Sequence, residues 1–317
     1  MKIGENTIAI CLATYNGGEY LSQQLDSILS QTYEDFVLFI RDDNSSDNTL
    51  EIINNYLKKY SNKIKLIDDK TLVGGSSKKN FAAIVKYVND NYSFNYYMFS
   101  DQDDFWKNDK VEICIKKMKE LEFNNKCPIL IHTDLTVVDA SLNVLGDSFI
   151  KYRSLNPKIQ DISHLLVQNN ITGCTMLWNR QLNEIVDLDS ENVAMHDWWM
   201  ALVASCFGKI AFINIPTILY RQHGNNVVGA TRVNSFSFII KRLLGGAKVK
   251  QTFLLSFQQA ESFLEVYDNI LSDEQKDILI NFIKIKNVNK VKRIYKIFKG
   301  KYLKQGFVQI IGQIVFI

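Results

Sequence analysis

Residues 7–31, TIAICLATYNGGEYLSQQLDSILSQ, decide the fold. The run TIAICLA is apolar without polar alternation, as a strand buried on both faces requires. In the turn TYNGG that follows, Gly17 and Gly18 allow backbone to approach a ligand closely. Leu21, Leu25, Ile28 and Leu29 then recur at helical spacing. Strand, polar turn and helix in this order begin an alternating α/β chain.

The same unit repeats three times. FVLFIRDD (36–43) precedes NTLEIINNYLKKY, KIKLIDD (63–69) precedes SKKNFAAIVKYVN, and FNYYMFSD (94–101) precedes KVEICIKKMKEL. Four strand–helix units predict right-handed crossovers around a mostly parallel sheet. The polar loops TYNGG, DDNSSD and SDQDD each follow a strand, so they converge on the carboxyl edge where open α/β sheets bind ligands.

Beyond residue 140 the pattern changes. GDSFIKYRSLNPKIQ (146–160) reads as an irregular connection, NNITGCTMLWN (169–179) as a strand and HDWWMALVASCFG (196–208) as an amphipathic helix. KIAFINIPTILYRQHGNN (209–226) reads as one or two strands. The remainder is helical and basic, with breaks at Gly245-Gly246 and near Ser272. The expected division is 1–232 for one α/β domain, with halves 1–140 and 141–232, and 233–317 for a basic amphipathic helical extension.

Composition agrees with a globular protein: 317 residues, 46% hydrophobic and 22% charged. No apolar run reaches the roughly 20 residues of a membrane span, and the N-terminus does not resemble a signal peptide. Five scattered cysteines without a C-x-x-C pair suggest buried thiols in a reducing compartment rather than disulfides or a zinc site. The expected location is cytoplasmic, with peripheral attachment at the inner face of the membrane as an option. The net charge of +3 conceals an imbalance, because residues 236–317 carry 14 Lys/Arg against 6 Asp/Glu and no acid follows Asp277.

SDQDDFW (100–106) crowds three aspartates into four positions. One reading is a solvated loop in which Asp104 or Asn108 caps the next helix. A calcium loop fails, because Phe105 and Trp106 stand at its fifth and sixth positions, where a ligand and a glycine are needed. A divalent Mg2+ or Mn2+ site fits best, with Asp101 and Asp103 as ligands and the remaining positions left to water and phosphate oxygens. In DDNSSD, Ser45, Ser46 or Asp47 suits a helix N-cap, while Asp43 could accept from a base or ribose. Neither G-x-G-x-x-G nor G-x-x-x-x-G-K-[ST] occurs, which disfavours a dinucleotide site and a P-loop.

Together, ICLATYNGGEYLSQQLDSILSQT, IRDDNSSDNT, SDQDDFW and HDWW resemble glycosyltransferase family 2, which has the GT-A fold. The resemblance covers roughly residues 5–230, and SDQDDFW with YRQHGNN is most similar to its bacterial rhamnosyltransferase-type members. It implies that Asp101 and Asp103 bind metal and donor diphosphate, that Asp43 contacts the base, and that Thr14 and Asn16 line the nucleotide loop. An arginine followed by asparagine, frequent in the family, is here Lys79-Asn80; the charge is kept and the bidentate fork is lost. Asp197 in MHDWWM is implied as catalytic base, with Trp198 or Trp199 on a sugar face. His223 would complete the metal shell or contact phosphate, and Thr172 and Gly173 would line the acceptor or sugar pocket.

The implied reaction moves a sugar, rhamnose in the closest subgroup, from a dTDP- or UDP-linked donor to a hydroxyl of a glycan or lipid-linked acceptor, with inversion. A sugar-nucleotide nucleotidyltransferase would place a basic phosphate loop after the first strand, and TYNGGEYL has no basic residue. A non-catalytic carbohydrate- or nucleotide-binding module would not need Asp197 beside an intact D-x-D. No nucleic-acid module accompanies the basic C-terminus. Its lysines, mixed with aromatic and aliphatic residues, suit either a bundle packed on the catalytic domain or an anionic membrane surface.

Overall fold

β1 (Ile8–Thr14) runs through the middle of a parallel set, flanked by β2 (Phe36–Asp42) and β4 (Tyr96–Ser100). β3 (Ile64–Leu66) extends the set beyond β2. The computed structural model describes residues 3–69, 71, 74–189, 193–223 and 246–317, the side chains of 246–249 excepted. Successive β1 side chains point to opposite faces, which explains its unbroken apolar run. Ile8, Ile10 and Leu12 pack under Leu21, Leu25 and Ile28 of α1 (Leu21–Leu29) and Ile53 of α2 (Thr49–Lys59). Ala9 and Cys11 pack on the other face with Phe81, Ile84 and Val88 of α3 (Ser77–Asn91).

β5 (Phe105–Trp106) and α4 (Lys110–Asn124) follow the acidic loop. The second half adds β6 (Ile129–Val138), β7 (Val144–Gly146), β8 (Leu177–Asn179) and β9 (Lys209–Arg221). The sheet order is β3-β2-β1-β4-β8-β6-β9-β5, with β7 paired to β6. β8 is antiparallel to both β4 and β6, whereas β9 runs parallel to β6. The mostly parallel half predicted from the first 140 residues is present, joined to a mixed half.

β6 was not anticipated. His132, Thr133, Asp134 and Thr136 interrupt its apolar pattern, yet all ten residues are buried. Two of the polar ones find internal partners: the Thr133 and Thr217 hydroxyls lie 2.7 Å apart, and Asp134 accepts from Ser148 Oγ at 2.5 Å. NNITGCTMLWN is a strand only at its end, because Gly173–Thr175 forms a 3₁₀ turn before β8. The connection 146–160 contains one helical turn, α5 (Phe149–Tyr152). α6 (Ile162–Leu165), α7 (Arg180–Ile185) and α8 (His196–Phe207) complete this half.

Four helices follow: α9 (Gly246–Tyr267), α10 (Asp273–Ile283), α11 (Lys290–Lys299) and α12 (Phe307–Phe316). The break near Ser272 is a capping box with Gln275 that opens α10. Phe257, Phe263, Leu279 and Phe282 share one core with α3 and α8, so these helices pack on the α/β half. Gly224 to Asn226 and most of the basic stretch 236–250 lie outside the described residues. No helix among the described residues is long and apolar enough to cross a membrane. The five cysteines are free, with Cys11, Cys114 and Cys174 buried.

Candidate active site

The carboxyl ends of β1 and β2 are stitched together by hydrogen bonds. Asp43 N donates to Thr14 O at 2.9 Å, and the Thr14 hydroxyl donates to Asp42 at 2.9 Å. Asn16 N donates to Ser45 Oγ, while Ser46 N donates to Asn16 Oδ1, both at 2.8 Å. Gly17 N and Gly18 N donate to Thr49 Oγ1 and Asp47 Oδ2. Asn16 and Asn44 hold positive φ (46° and 63°), a conformation asparagine tolerates better than most residues. Asp43 is buried, accepts from Gly75 N at 2.7 Å and sits 3.4 Å from Arg41 Nη1.

α3 brings Asn80 beneath this edge. Its amide donates to the carbonyls of Thr14 and Arg41, and its oxygen accepts from Arg41 Nη1 at 2.8 Å. Lys79 is exposed, so of the pair it is the asparagine that builds the loop.

The D-x-D segment leaves β4 beside these loops. Gln102 forms two hydrogen bonds with the backbone of Tyr15, at 2.8 and 2.9 Å, fastening the acidic loop to the first turn. Asp103 Oδ2 lies 2.7 Å from His223 Nε2. Asp101 lies against Asp104 and Cys174, their ligand atoms all within 4.8 Å of one another. Burial, then the charges of Asp103 and Asp197, push the Asp101 carboxyl up to about 7. Burial and its acidic neighbours hold the Cys174 thiol well above its ordinary range, so it serves as a hydrogen-bond donor to the carboxylates rather than a thiolate ligand.

Asp104 caps no helix. It is fully buried and accepts from Arg221 N at 3.3 Å, while α4 begins after Asp109 without a side-chain cap. Trp106 fixes the far end of the loop, with its backbone N–H donating to Ser27 Oγ and the Lys110 ammonium 4.2 Å from its ring centroid. Arg221 at the end of β9 closes the arrangement. It donates to Asp103 O at 2.9 Å and Gln23 Oε1 at 2.6 Å, and its guanidinium lies 4.4 Å from the Tyr20 ring centroid.

Asp197 enters from the first turn of α8. Gly173 N donates to its Oδ2 at 3.2 Å, and burial raises the carboxyl to about 6 despite backbone donors from Trp198 and Gly173. A Cβ on Gly173 would fall 2.7 Å from His196 Nε2, so this approach requires glycine. His196 lies between the Phe81 and Phe99 rings, and burial lowers it to about 3, which keeps it neutral. The tryptophans diverge. Trp198 is half-buried and donates to Leu165 O, whereas Trp199 is wholly buried against Phe263 and Tyr267. Trp199 therefore stands in the core and not on a sugar face.

The predicted residues thus gather in part. Thr14, Asn16 and Asp43 share the first two loops; Asp101 and Asp103 lie on the acidic loop, with His223, just past β9, against Asp103; Asp197 adjoins Gly173, with Thr172 next in the chain. Arg41, Asn80, Gln102, Cys174 and Arg221 were missed. A lone arginine inside the otherwise apolar FVLFIRD was the signal available for Arg41.

The donor set fits a divalent cation. Asp103 and His223 pair a hard oxygen with a nitrogen, which suits Mg2+ or Mn2+, while the Asp101 ligand atom groups instead with Asp104 and Cys174. The 2.7 Å between Asp103 Oδ2 and His223 Nε2 is near the edge of about 3 Å that adjacent ligands span in an octahedron. Burial, and then its acidic neighbours, raise the Asp101 carboxyl, and a cation beside it would favour the ionised form.

Residues 9–185 match the family model for Glycosyl transferase family 2. The dTDP-rhamnosyl transferase RfbG of Shigella flexneri is 32% identical over 245 residues, covering 73% of this chain and 78% of the relative. An uncharacterized glycosyltransferase of Haemophilus influenzae is 30% identical over 233 residues, covering 73% and 83%. The structure of S. aureus TarS 1-349 in complex with UDP-GlcNAc shares the fold, with a TM-score of 0.53 at 17% identity, covering 92% of this chain and 73% of that one. With its GT-A fold and its acidic site at the carboxyl edge of the sheet, the chain belongs to glycosyl transferase family 2.

Proposed function

We propose that the protein is a metal-dependent, inverting glycosyltransferase that moves a sugar, rhamnose first among the candidates, from a dTDP- or UDP-linked donor to a hydroxyl of a cell-surface glycan or lipid-linked acceptor. The observation that carries this reading is electrostatic. Burial first, and then the charges of Asp103 and Asp197, raise the Asp101 carboxyl, which supports a site served by both the D-x-D and the α8 carboxylate. The Shigella relative's name supports the choice of donor.

Thr14, Asn16 and Asp43, with Lys79 at the rim, would take the nucleoside. Asp101, Asp103 and His223 would hold Mg2+ or Mn2+, and the cation, when bound, would neutralise charge building on the departing diphosphate. Asp197 accepts the proton of the attacking hydroxyl as general base. The acceptor oxygen bonds to the anomeric carbon as the bond to the diphosphate oxygen breaks on the opposite side, inverting the centre. Trp198, Thr172 and Gly173 would bound the sugar and acceptor pocket. Residues 1–232 would carry this chemistry, with 233–317 as an extension whose described part, 246–317, is helical.

The test is transfer from dTDP-rhamnose with Mn2+ and a panel of polyprenyl-diphosphate-linked sugars, read by release of dTDP and by the stereochemistry of the product. Asp197→Asn should abolish transfer while nucleotide binding persists. Near-normal turnover by that variant would remove Asp197 from the role.

A further inference from the structure

The last two helices turn the wrong residues outward. On α11, Val291, Tyr295 and Phe298 are 78%, 64% and 50% exposed, and at 100° per residue they fill one sector of about 60°. Lys290 borders that sector on one side, and Lys292 and Lys299 border it on the other; all three are exposed. On α12 the inversion is stronger. Gln309 and Gln313 are buried, while Phe307, Ile311 and Val315 form an exposed stripe at i, i+4 and i+8. The buried Gln313 is engaged, donating to Tyr302 O and accepting from Lys304 N. Lys290 Nζ donates to Val315 O, which ties the first turn of α11 to the last of α12, beside the exposed Val291 and Val315.

We propose that α11 and α12 together form a docking surface for an anionic lipid bilayer. Apolar exposure repeated along two neighbouring helices of a folded protein points to an interaction site. An apolar stripe bordered by lysines matches a bilayer interface, where acyl chains lie beneath a negatively charged headgroup layer. No acidic residue follows Asp277, so nothing in either helix repels such a surface. A second copy fits poorly, because a two-fold contact would set this patch on itself, lysine against lysine. The surface makes no use of the acidic loop, so the inference stands apart from the transfer chemistry.

Flotation of the full chain with vesicles tests it. Binding is expected to phosphatidylcholine vesicles containing phosphatidylglycerol, with much weaker binding to pure phosphatidylcholine and loss at high salt. Lys292→Gln and Lys299→Gln should each weaken partitioning about fivefold, as expected for one lysine near an anionic surface. Phe298→Ser with Phe307→Ser should abolish binding; both positions are exposed, and an unchanged thermal midpoint would show that the fold survives. Three outcomes overturn the proposal: no flotation of the wild type, equal flotation of the double serine variant, or a dimer in sedimentation that the serine changes dissolve, which would make a second copy the occupant.

Discussion

Asp103 and His223 stand 120 residues apart in the chain and 2.7 Å apart in space. A carboxylate and an imidazole at this separation can serve as adjacent ligands of one cation. His223→Ala should therefore lower Mn2+ affinity by about 10- to 100-fold, no less than the loss of an outer-shell partner of a metal ligand. Titration calorimetry with Mn2+ checks this, and an unchanged Kd would exclude His223 from the ligand set. Chelation by EDTA should stop transfer, and Mn2+ should restore it.

With its carboxyl raised to about 6, Asp197 acting as the proposed base should set the acid limb of the activity profile. A general base must be ionised, so turnover should fall as pH drops through about 6 and level off above it. The stability consequence has the opposite sign. Between pH 4 and 6 the folded state binds more protons at this site than the unfolded state, so the site costs stability as pH rises through that range. At neutral pH the Asp197→Asn protein should melt higher than the wild type, by the equivalent of up to about 3 kcal/mol. Calorimetry at pH 5 and pH 7.5 separates the effects, since the gain should shrink at the lower pH.

Asn80→Ala should be costly and Lys79→Ala cheap. The first removes a buried acceptor from Arg41 and donors from two carbonyls, a loss of about 1–3 kcal/mol in stability for a partner left unsatisfied. It should also weaken nucleotide binding, because Thr14 and Asp43 lose their support. Lys79 is exposed, so its removal should leave the thermal midpoint unchanged.

Gly17→Ala should loosen the acidic loop without touching a carboxylate. The new Cβ would fall 2.3 Å from Gln102 Oε1, displacing the side chain that grips Tyr15. A higher donor KM is expected. Gln102→Ala should act similarly, and the double variant should be no worse than either alone. Additive losses would show that the two residues act separately.

Trp198 and Trp199 should separate under mutation. Trp199→Ala empties a fully buried site against Phe263 and Tyr267, at about 3–5 kcal/mol in stability. Trp198→Ala should cost less stability and raise the acceptor KM. Denaturant melts and initial rates, measured together, distinguish them.

The alternating half was legible because each strand is buried on both faces and each loop carries the polar residues of the site. β6 was not, because periodicity treats Thr133 and Asp134 as surface residues and cannot see the partners on β9 and α5's N-cap that satisfy them. The acidic loop announced itself by its charge. The roles within it did not, since Asp104 differs from Asp103 only in facing the interior. Asn80 was hidden for a related reason: adjacent residues on a helix diverge by 100°, and sequence alone did not say whether Lys79 or Asn80 turned inward.

Arg221 gives the site a timetable. The guanidinium that holds the Asp103 carbonyl is translated 118 residues after it, and at about 5–20 residues per second this gap amounts to about 6–24 s. A ribosome-bound chain therefore has its nucleotide loops long before its acidic loop is clamped.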